Sequence, residues 1–208
     1  MFRRQVELIG EENQNLLLTK SVLIVGCGGL GNIIATTLSC IGLKKIYLVD
    51  HDLIEIHNIH RQFQFDKKDI GKSKAKTLAK KIDRCSTKIE AVEGFFDEKM
   101  DFGVDIVFDA TDNFEVRKKI DKFCKKRDIP WIYASVEEWH GQAGVFKKTP
   151  FDIFATSDHE VKGQIPPMVN LIGSLSAMLG LKCLTENCKE ILYYVNFEED
   201  LEIKKFSF

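Results

Sequence analysis

The sequence has almost no excess of charge of either sign. Its 30 Lys and Arg residues balance 31 Asp and Glu residues, which gives a formal net charge of −1 at pH 7. Domains that bind nucleic acid usually carry a basic excess concentrated on one face. The balance therefore argues against nucleic acid as a partner.

Long apolar runs and helix-breaking residues are also scarce. We find no run of the roughly 20 apolar residues that a membrane span needs, and the first residues turn acidic before any apolar segment typical of a secretory signal. We therefore expect no membrane association and a cytoplasmic location. With only 4 Pro and 14 Gly in 208 residues, a long disordered segment is not expected.

Cysteine is present but never in a C-x-x-C pair. A structural zinc site needs about four ligands at compact spacing, so we expect no structural zinc. Buried or free thiols are the expected state of all six. They are Cys27, Cys40, Cys85, Cys124, Cys183 and Cys188.

Apolar, β-branched segments alternate with amphipathic segments along most of the chain. The predicted strands cover residues 21–26, 45–50, 88–92, 104–109, 130–135, 141–147, 191–196 and 201–206. The predicted helices cover residues 30–41, 70–82, 114–127 and 168–184. This alternation predicts an α/β, Rossmann-like, doubly wound fold, with a mostly parallel sheet, helices on both faces and an antiparallel C-terminal extension. Since no linker or repeat interrupts the pattern, residues 1–208 are expected to form a single domain.

A glycine-rich loop joins the first predicted strand to the next helix. Gly26, Gly28, Gly29 and Gly31 fit the pattern G-x-G-x-x-G. Glycines let the backbone approach a phosphate, and the helix N-terminus supplies free N–H groups and a positive dipole. Asp50 ends the next strand, where an acidic residue accepts hydrogen bonds from a ribose. The loop predicts a nucleotide site, but several classes of enzyme share it.

Four further segments are more specific. They are Arg3-Arg4-Gln5, residues 50–62 with Asn58-Ile-His-Arg61-Gln62 at their end, Asp69-Ile-Gly71-Lys-Ser-Lys74 and Asp109-Ala-Thr-Asp112-Asn113. Together with the glycine loop, they resemble the ThiF/MoeB/HesA family of adenylyltransferases, which are relatives of the ubiquitin-activating enzymes. The resemblance runs from about Arg4 to the end of the chain.

The resemblance implies an adenylation reaction. Such an enzyme uses ATP and Mg²⁺ to activate the C-terminal Gly carboxylate of a small ubiquitin-like sulfur-carrier protein with a Gly-Gly tail, and releases pyrophosphate. The short chain without zinc cysteines looks most like a ThiF-type protein, so a ThiS-like carrier of thiamine biosynthesis is expected. A terminal carboxylate has a pKa of about 3.5 and is already ionised. Fixed cations, rather than a general base, are therefore expected to supply most of the catalysis.

The resemblance also assigns roles to individual residues. Arg61 and Lys74 would face the phosphates, and Asp112 would hold Mg²⁺. Arg4, beside Arg3, would reach across a dimer interface into the partner's site, which implies a homodimer. The remaining nucleotide-binding positions would be Gly26, Gly28, Gly29, Gly31, Asp50 for the ribose, Asn58 and Gln62.

Two of these roles have close competitors in the sequence. Lys72 and Lys76 flank Lys74 and would normally be solvated lysines on a helix face. Asp112 and Asn113 are equally placed to cap the helix predicted at 114–127, because both residue types are favoured caps. Capping and metal binding are compatible roles.

The chain departs from better-known family members in two respects. It lacks their two C-x-x-C zinc pairs, and residues 149–167, expected to be a long loop that grips the carrier tail, hold no cysteine. We therefore expect adenylation without a covalent thioester or acyl-disulfide step. The chain also shows no sulfurtransferase-like domain, so a separate protein is expected to donate sulfur.

Three other functions remain open. An NAD-dependent oxidoreductase could use the same glycine loop, although Tyr133 is followed by Glu137 where a Tyr-x-x-x-Lys motif needs lysine. A non-catalytic partner subunit related to the ubiquitin-activating enzymes could hold a nucleotide or a carrier without chemistry. Finally, adenylation could act on a peptide or a modified tRNA base.

Overall fold

The strands form one eight-stranded sheet. A computed structural model describes residues 1–151 and 163–208. The strands are β1 Ser21–Val25, β2 Lys45–Asp50, β3 Lys88–Glu93, β4 Ile106–Asp109, β5 Trp131–Glu137, β6 His140–Phe146, β7 Ile191–Asn196 and β8 Glu202–Ser207. Their order in the sheet is β3-β2-β1-β4-β5-β6-β7-β8. The first five strands run parallel and the last three pair antiparallel, which confirms the predicted fold.

Five α-helices accompany the sheet in the described residues. They are α1 Arg3–Leu17, α2 Gly29–Ser39, α3 Lys74–Ile82, α4 Phe114–Arg127 and α5 Pro166–Thr185. Helix α1 was missed by the sequence analysis because Gly10, at φ +81°, kinks it and interrupts its apolar period. Helix α3 begins four residues later than predicted, where the Ser73 hydroxyl caps it by accepting a hydrogen bond from the Lys76 N–H.

Helices cover the sheet on both faces. On β1, Val22 and Ile24 point into the core on the α2 and α3 side, whereas Leu23 and Val25 point to the opposite core. Helix α4 completes that second core with Phe123 among others. A strand buried on both faces needs the near-continuous apolar run that the sequence shows at this position.

Helix α5 corrects the expectation about apolar runs. Its 20 residues are long and apolar enough to cross a membrane by length and composition, and an 18-residue window within the helix has a mean hydropathy of 1.4. In this fold the helix packs on the sheet and on α2. A Cβ atom added at Gly173 would lie 2.8 Å from Cβ of Ile33, and one added at Gly180 would collide with the Phe108 ring. Its small residues therefore let two helices and the sheet approach closely.

The expectation of six free thiols is wrong for four cysteines. Cys40, at the end of α2, forms a disulfide with Cys85 after α3, and Cys183 forms one with Cys188 beyond the end of α5. Cys40 and Cys85 are 45 residues apart in the sequence, and the 5-residue separation of Cys183 and Cys188 matches no recognised motif. Only the folded structure shows that each pair is close. Cys27 and Cys124 are free and buried.

The strand order reverses between β1 and β4. From these two central strands the chain extends outward, through β2 and β3 on one side and through β5 and β6 on the other. In open α/β sheets, ligands bind outside the carboxyl ends of the strands at such a reversal. Of the predicted tail-gripping loop at 149–167, Phe151, Gly163 and Gln164 lie in this region, whereas residues 152–162 lie outside the described part of the chain.

Candidate active site

A large open cleft lies at the carboxyl ends of β1, β2, β4 and β5. Its volume is about 1330 Å³. Nine of the eleven residues assigned to the site from the sequence line it. They are Gly26, Gly28, Gly29, Asp50, Asn58, Arg61, Gln62, Lys74 and Asp112.

The glycine loop brings bare backbone to the cleft. Gly26 has φ +94°, and a Cβ atom there would lie 2.6 Å from the Ala110 carbonyl oxygen. Gly31 lies behind the loop, where a Cβ atom would collide with the Gly26 carbonyl group. Gly28 is the N-cap of α2 and offers no side chain to the first helical amides. These amides are thus open to an anionic group at the helix N-terminus.

Asp50 lies beside the glycine loop, at the end of β2. One carboxylate oxygen accepts a 2.6 Å hydrogen bond from the Cys27 N–H, and the other accepts a 2.7 Å bond from the Asp52 N–H. Because a carboxylate has about four acceptor positions, both oxygens can still accept from ribose hydroxyls. The site predicted for the ribose is therefore compatible with these contacts.

Asn32, which the sequence analysis missed, ties the loop to the next binding segment. It is fully buried in α2. Its amide nitrogen donates to the Cys27 carbonyl (3.1 Å) and its oxygen accepts from the Gln64 N–H (2.9 Å). A lone amide side chain on the apolar face of a glycine-loop helix was the available signal.

Two buried polar atoms in the following segment have no hydrogen-bond partner among the described residues. Gln62 is 2% exposed, and its side-chain oxygen makes no hydrogen bond with any described residue. Arg61 donates from Nη1 to the His57 carbonyl (3.0 Å), but its buried Nε is likewise unpartnered within the described chain. Buried polar atoms are nearly always satisfied. Both residues belong to the cleft wall, and their hydrogen bonding is incomplete among the described residues.

Asn58, the first residue of the segment 58–62, stabilises the backbone turn that precedes Arg61. It is buried, and its side-chain oxygen accepts a 3.0 Å bond from the Glu55 N–H in a short 3₁₀ turn. This turn holds Arg61 against the cleft. Burial lowers the pKa of the Arg61 guanidinium and the Asp112 carboxylate partly opposes that shift. Arg61 and Asp112 thus bring opposite charges to the lining of the same cleft.

Lys74 is the one lysine of its cluster that lines the cleft. Its side chain is 9% exposed, and its ammonium donates a 2.7 Å hydrogen bond to Asp52. Lys72 and Lys76 have exposed side chains, pair with other carboxylates and lie outside the cleft. The geometry therefore favours Lys74 as the phosphate-facing lysine.

Asp112 is free of the capping role. Asn113 caps α4 instead, because its side-chain oxygen accepts a 3.0 Å bond from the Val116 N–H. The Asp112 side chain is left in the cleft. Mg²⁺ usually takes one or two carboxylates together with substrate phosphates, so a single aspartate here fits the predicted role.

A second buried feature missed by the sequence analysis lies beneath this turn. Asp109, fully buried at the end of β4, pairs with Arg117 of α4 at 3.0 Å. Burial raises the pKa of Asp109, and the Arg117 charge opposes that shift. The signal was an arginine one turn into a helix that follows an acidic strand end.

The histidines near the site offer one other group of possible metal ligands. Among the described residues, only Asp50, His51 and Asp52 place carboxylate and imidazole atoms within 4.8 Å of one another. Both carboxylates already accept hydrogen bonds, from backbone amides and from Lys74. Asp50 thus holds the glycine loop through the Cys27 N–H, and Asp52 holds the Lys74 ammonium.

Arg4 and the buried Cys27 take no visible part in the cleft. Arg4 lies on α1 with a nearly fully exposed side chain, 3.9 Å from Glu7, and its role across a dimer interface stays a prediction. Burial raises the pKa of the Cys27 thiol well above its usual value, Asp50 adds to the rise and Lys74 opposes it. The thiol is therefore neutral and shielded, unlike a nucleophile.

Together, the cleft contacts fit a nucleoside triphosphate. Free helix amides and two cations match phosphates, Asp50 matches a ribose, and Asp112 matches a divalent cation. Residues 2–205 match the ThiF family, and the chain belongs to that family.

Curated proteins extend the comparison. The chain is 33% identical over 201 residues to an adenylyltransferase and sulfurtransferase MOCS3 of Dictyostelium discoideum, covering 88% of this chain and 47% of that protein. It is 30% identical over 204 residues to a probable molybdopterin-synthase adenylyltransferase of Porphyra purpurea, covering 91% and 52%. The chain thus spans about half the length of the curated relatives it matches.

Solved structures confirm the fold. Escherichia coli MccB, crystallised with MccA-N7isoASN, superposes with a TM-score of 0.84 at 20% identity, over 99% of this chain and 70% of that one. PaaA superposes equally well at 18% identity, over 99% and 72%. At these identities the likeness concerns the architecture alone.

Proposed function

We propose that the chain is an ATP-dependent adenylyltransferase that activates the C-terminal Gly carboxylate of a small ubiquitin-like sulfur-carrier protein. The observation that carries the proposal is the cleft, which places Arg61, Lys74 and Asp112 around a bare glycine loop. Family membership and the names of the relatives, which include adenylyltransferases and a SAMP-activating enzyme E1 of Haloferax volcanii, support it.

The reaction depends more on stabilising negative charge than on transferring a proton. The attacking carboxylate is already ionised, and it must approach a phosphate group that is also negative. Lys74 and Arg61 supply fixed positive charge from the cleft wall, and both are partly desolvated, which strengthens their electrostatic effect. When bound, Mg²⁺ would neutralise phosphate charge from a position held by Asp112.

We propose that the other half of the cleft holds the carrier tail. Beyond Asp112 its wall continues with Ser135 on β5, Gln142 on β6 and Gln164 in the segment that leads into α5. An extended Gly-Gly tail has no side chains to exclude and needs mainly backbone hydrogen-bond partners. We propose that the tail enters along these strands.

Several finer assignments belong to the proposal. We propose a homodimer with Arg4 acting across the interface, a separate sulfur donor, no structural zinc and a cytoplasmic location. We also propose that no covalent link to the carrier forms. The described part of the chain has two free cysteines, Cys27 and Cys124, and both are buried. Burial raises the pKa of each thiol, which disfavours the thiolate that a covalent step would need.

ATP–pyrophosphate exchange with Mg²⁺ tests the proposal. The assay would use thiamine-type, molybdopterin-type and SAMP-type carriers, each beside a control truncated at the Gly-Gly tail. Exchange that needs an intact tail supports adenylation and identifies the carrier. The Asp112→Ala variant should lose exchange.

Other outcomes would favour the alternatives. Absence of exchange with tight NAD(H) binding would support the oxidoreductase, and absence of both would support a non-catalytic subunit. Exchange driven by a peptide or a tRNA would change the acceptor. A carrier adduct cleaved by thiol reagents would contradict the absence of a covalent step.

A further inference from the structure

Arg117 lies directly beneath the turn that carries Asp112. Its Nε donates to Asp109 at 3.0 Å, and its Nη2 donates to the Thr111 carbonyl at 2.6 Å. Nη2 also lies 3.4 Å from the Ala134 carbonyl oxygen on β5. One guanidinium therefore bonds to the strand end before the turn, to the turn itself and to the neighbouring strand.

Asp109 also forms hydrogen bonds with this turn. One of its oxygens accepts hydrogen bonds from the Thr111 N–H (3.0 Å) and the Thr111 hydroxyl (2.6 Å), while the other oxygen pairs with Arg117. The amide, the hydroxyl and the carbonyl of Thr111 are thus all held. The peptide that leads into Asp112 has little freedom to rotate.

The contact depends on the shape of a guanidinium. Its planar fork can donate in fixed directions to a carboxylate and to backbone carbonyls at once, whereas a lysine ammonium is a compact charge on a flexible stem. The side chain of Arg117 is 12% exposed and that of Asp109 is 0% exposed. A face of the Tyr133 ring, 4.9 Å away, restricts the guanidinium further.

We propose that Arg117 is a positioning residue, which fixes Asp112 in the geometry that Mg²⁺–nucleotide binding requires. The inference rests on the proposed function, because it takes Asp112 as the metal-binding carboxylate. Arg117 acts through the turn rather than by touching the metal. Outer-shell partners of this kind commonly change metal affinity about 10–100-fold when they are replaced.

The test compares three variants. Arg117→Lys keeps the charge but loses the fork. The double variant Asp109→Asn/Arg117→Gln removes both buried charges together, which avoids leaving an unpaired carboxylate in the interior. Lys125→Gln is the matched control, since it removes a 2.7 Å ion pair with Asp121 elsewhere on the same helix.

The readout is binding rather than turnover. Electron paramagnetic resonance would measure the affinity of Mn²⁺ for the protein saturated with a non-hydrolysable ATP analogue, and fluorescence would measure the metal-free affinity of the analogue. We expect about 10-fold or greater weakening of Mn²⁺ binding in both Arg117 variants. Binding of the analogue itself, and all binding by the control, should stay within about twofold.

Three results would overturn the inference. Arg117 variants that bind Mn²⁺ like the wild type would show that the turn holds Asp112 unaided. Equal loss of metal-free nucleotide binding, with a lowered Tm even in the charge-free double variant, would show a merely structural role. A wild-type protein that neither binds Mn²⁺ with nucleotide nor supports exchange would instead refute the proposed function, on which the inference rests.

Discussion

The cluster of lysines at the start of α3 allows a sharp test of the site. Lys72, Lys74 and Lys76 are chemically identical and lie within five residues, but only Lys74 is buried in the cleft wall. We expect Lys74→Met to reduce carrier-dependent ATP–pyrophosphate exchange about 100- to 1000-fold, the usual effect of removing one preorganised electrostatic group. The same substitution at Lys72 or Lys76 should change the rate less than about threefold, because both residues are solvated.

The magnitude follows from burial and charge. An ammonium about 4 Å from a phosphate oxygen interacts by roughly 4 kcal/mol at an effective dielectric constant of 20. Asp52 competes for the same ammonium at 2.7 Å, and this reduces the net effect. A net contribution of about 3 kcal/mol corresponds to a rate factor of a little over 100.

Stability should change little in these variants, so the assay reports on the site. Methionine keeps most of the apolar stem of Lys74. Its abandoned partner Asp52 is about half exposed and can be solvated by water. We expect Tm values within a few degrees of the wild type for all three variants. If Lys74→Met keeps full exchange, or if Lys76→Met loses as much, the assignment of the phosphate-facing lysine is wrong.

Three further predictions concern the loop, acid stability and the dimer. Gly26→Ala should lower the free energy of unfolding by about 2 kcal/mol or more in urea titrations. The reason is that φ is +94° and that a Cβ atom would lie 2.6 Å from the Ala110 carbonyl oxygen. An unchanged urea midpoint would contradict this prediction. Burial raises the pKa of Asp69, but hydrogen bonds led by that from Lys81 outweigh it and bring the pKa to about 2. This depressed pKa stabilises the fold above pH 4, so Asp69→Asn should lower the free energy of unfolding by about 1–2 kcal/mol at pH 7. The difference between wild type and variant should vanish as the pH falls through about 2. A difference that does not change with pH would show that the Asp69 charge is not its cause. Mixing inactive Arg4→Ala with inactive Asp112→Ala should restore part of the exchange activity if the arginine acts across a homodimer, whereas a monomer at assay concentration would count against it.

Local sequence signals were sufficient for the parallel core and the nucleotide half of the cleft. The buried strands are nearly continuous apolar runs, and Gly26 and Asp50 close two of them at their carboxyl ends. Because parallel strands end at the same edge of a sheet, residues far apart in sequence meet there. Helix α4 was predicted with its observed bounds, since Asn113 is a strong cap and Asp128 adopts a left-handed conformation that ends the helix.

The remaining features depend on long-range contacts that local sequence signals indicate only weakly. Asn32 and Arg117 resemble an ordinary helical amide and an ordinary helical cation in the sequence. Their functions become visible only when α2 meets the segment after β2, and when α4 is laid beneath the turn after β4. The pairing of Cys40 with Cys85 likewise requires two helices to end side by side.

The two sides of the sheet reversal suggest how one cleft can bring two substrates together. Residues assigned to the nucleotide come after β1 and after β2 in the chain, whereas the wall proposed for the carrier tail includes Ser135 on β5 and Gln142 on β6. Asp112 lies in the turn after β4, and β4 lies between these halves in the sheet. Arg117 connects the halves physically, because it bonds to the turn before Asp112 and approaches the Ala134 carbonyl on β5. A tail that shifts β5 could therefore alter the position of the metal-binding carboxylate. For this reason we expect carrier binding to raise Mn²⁺–nucleotide affinity in the wild type, and we expect the effect to disappear in Arg117→Lys.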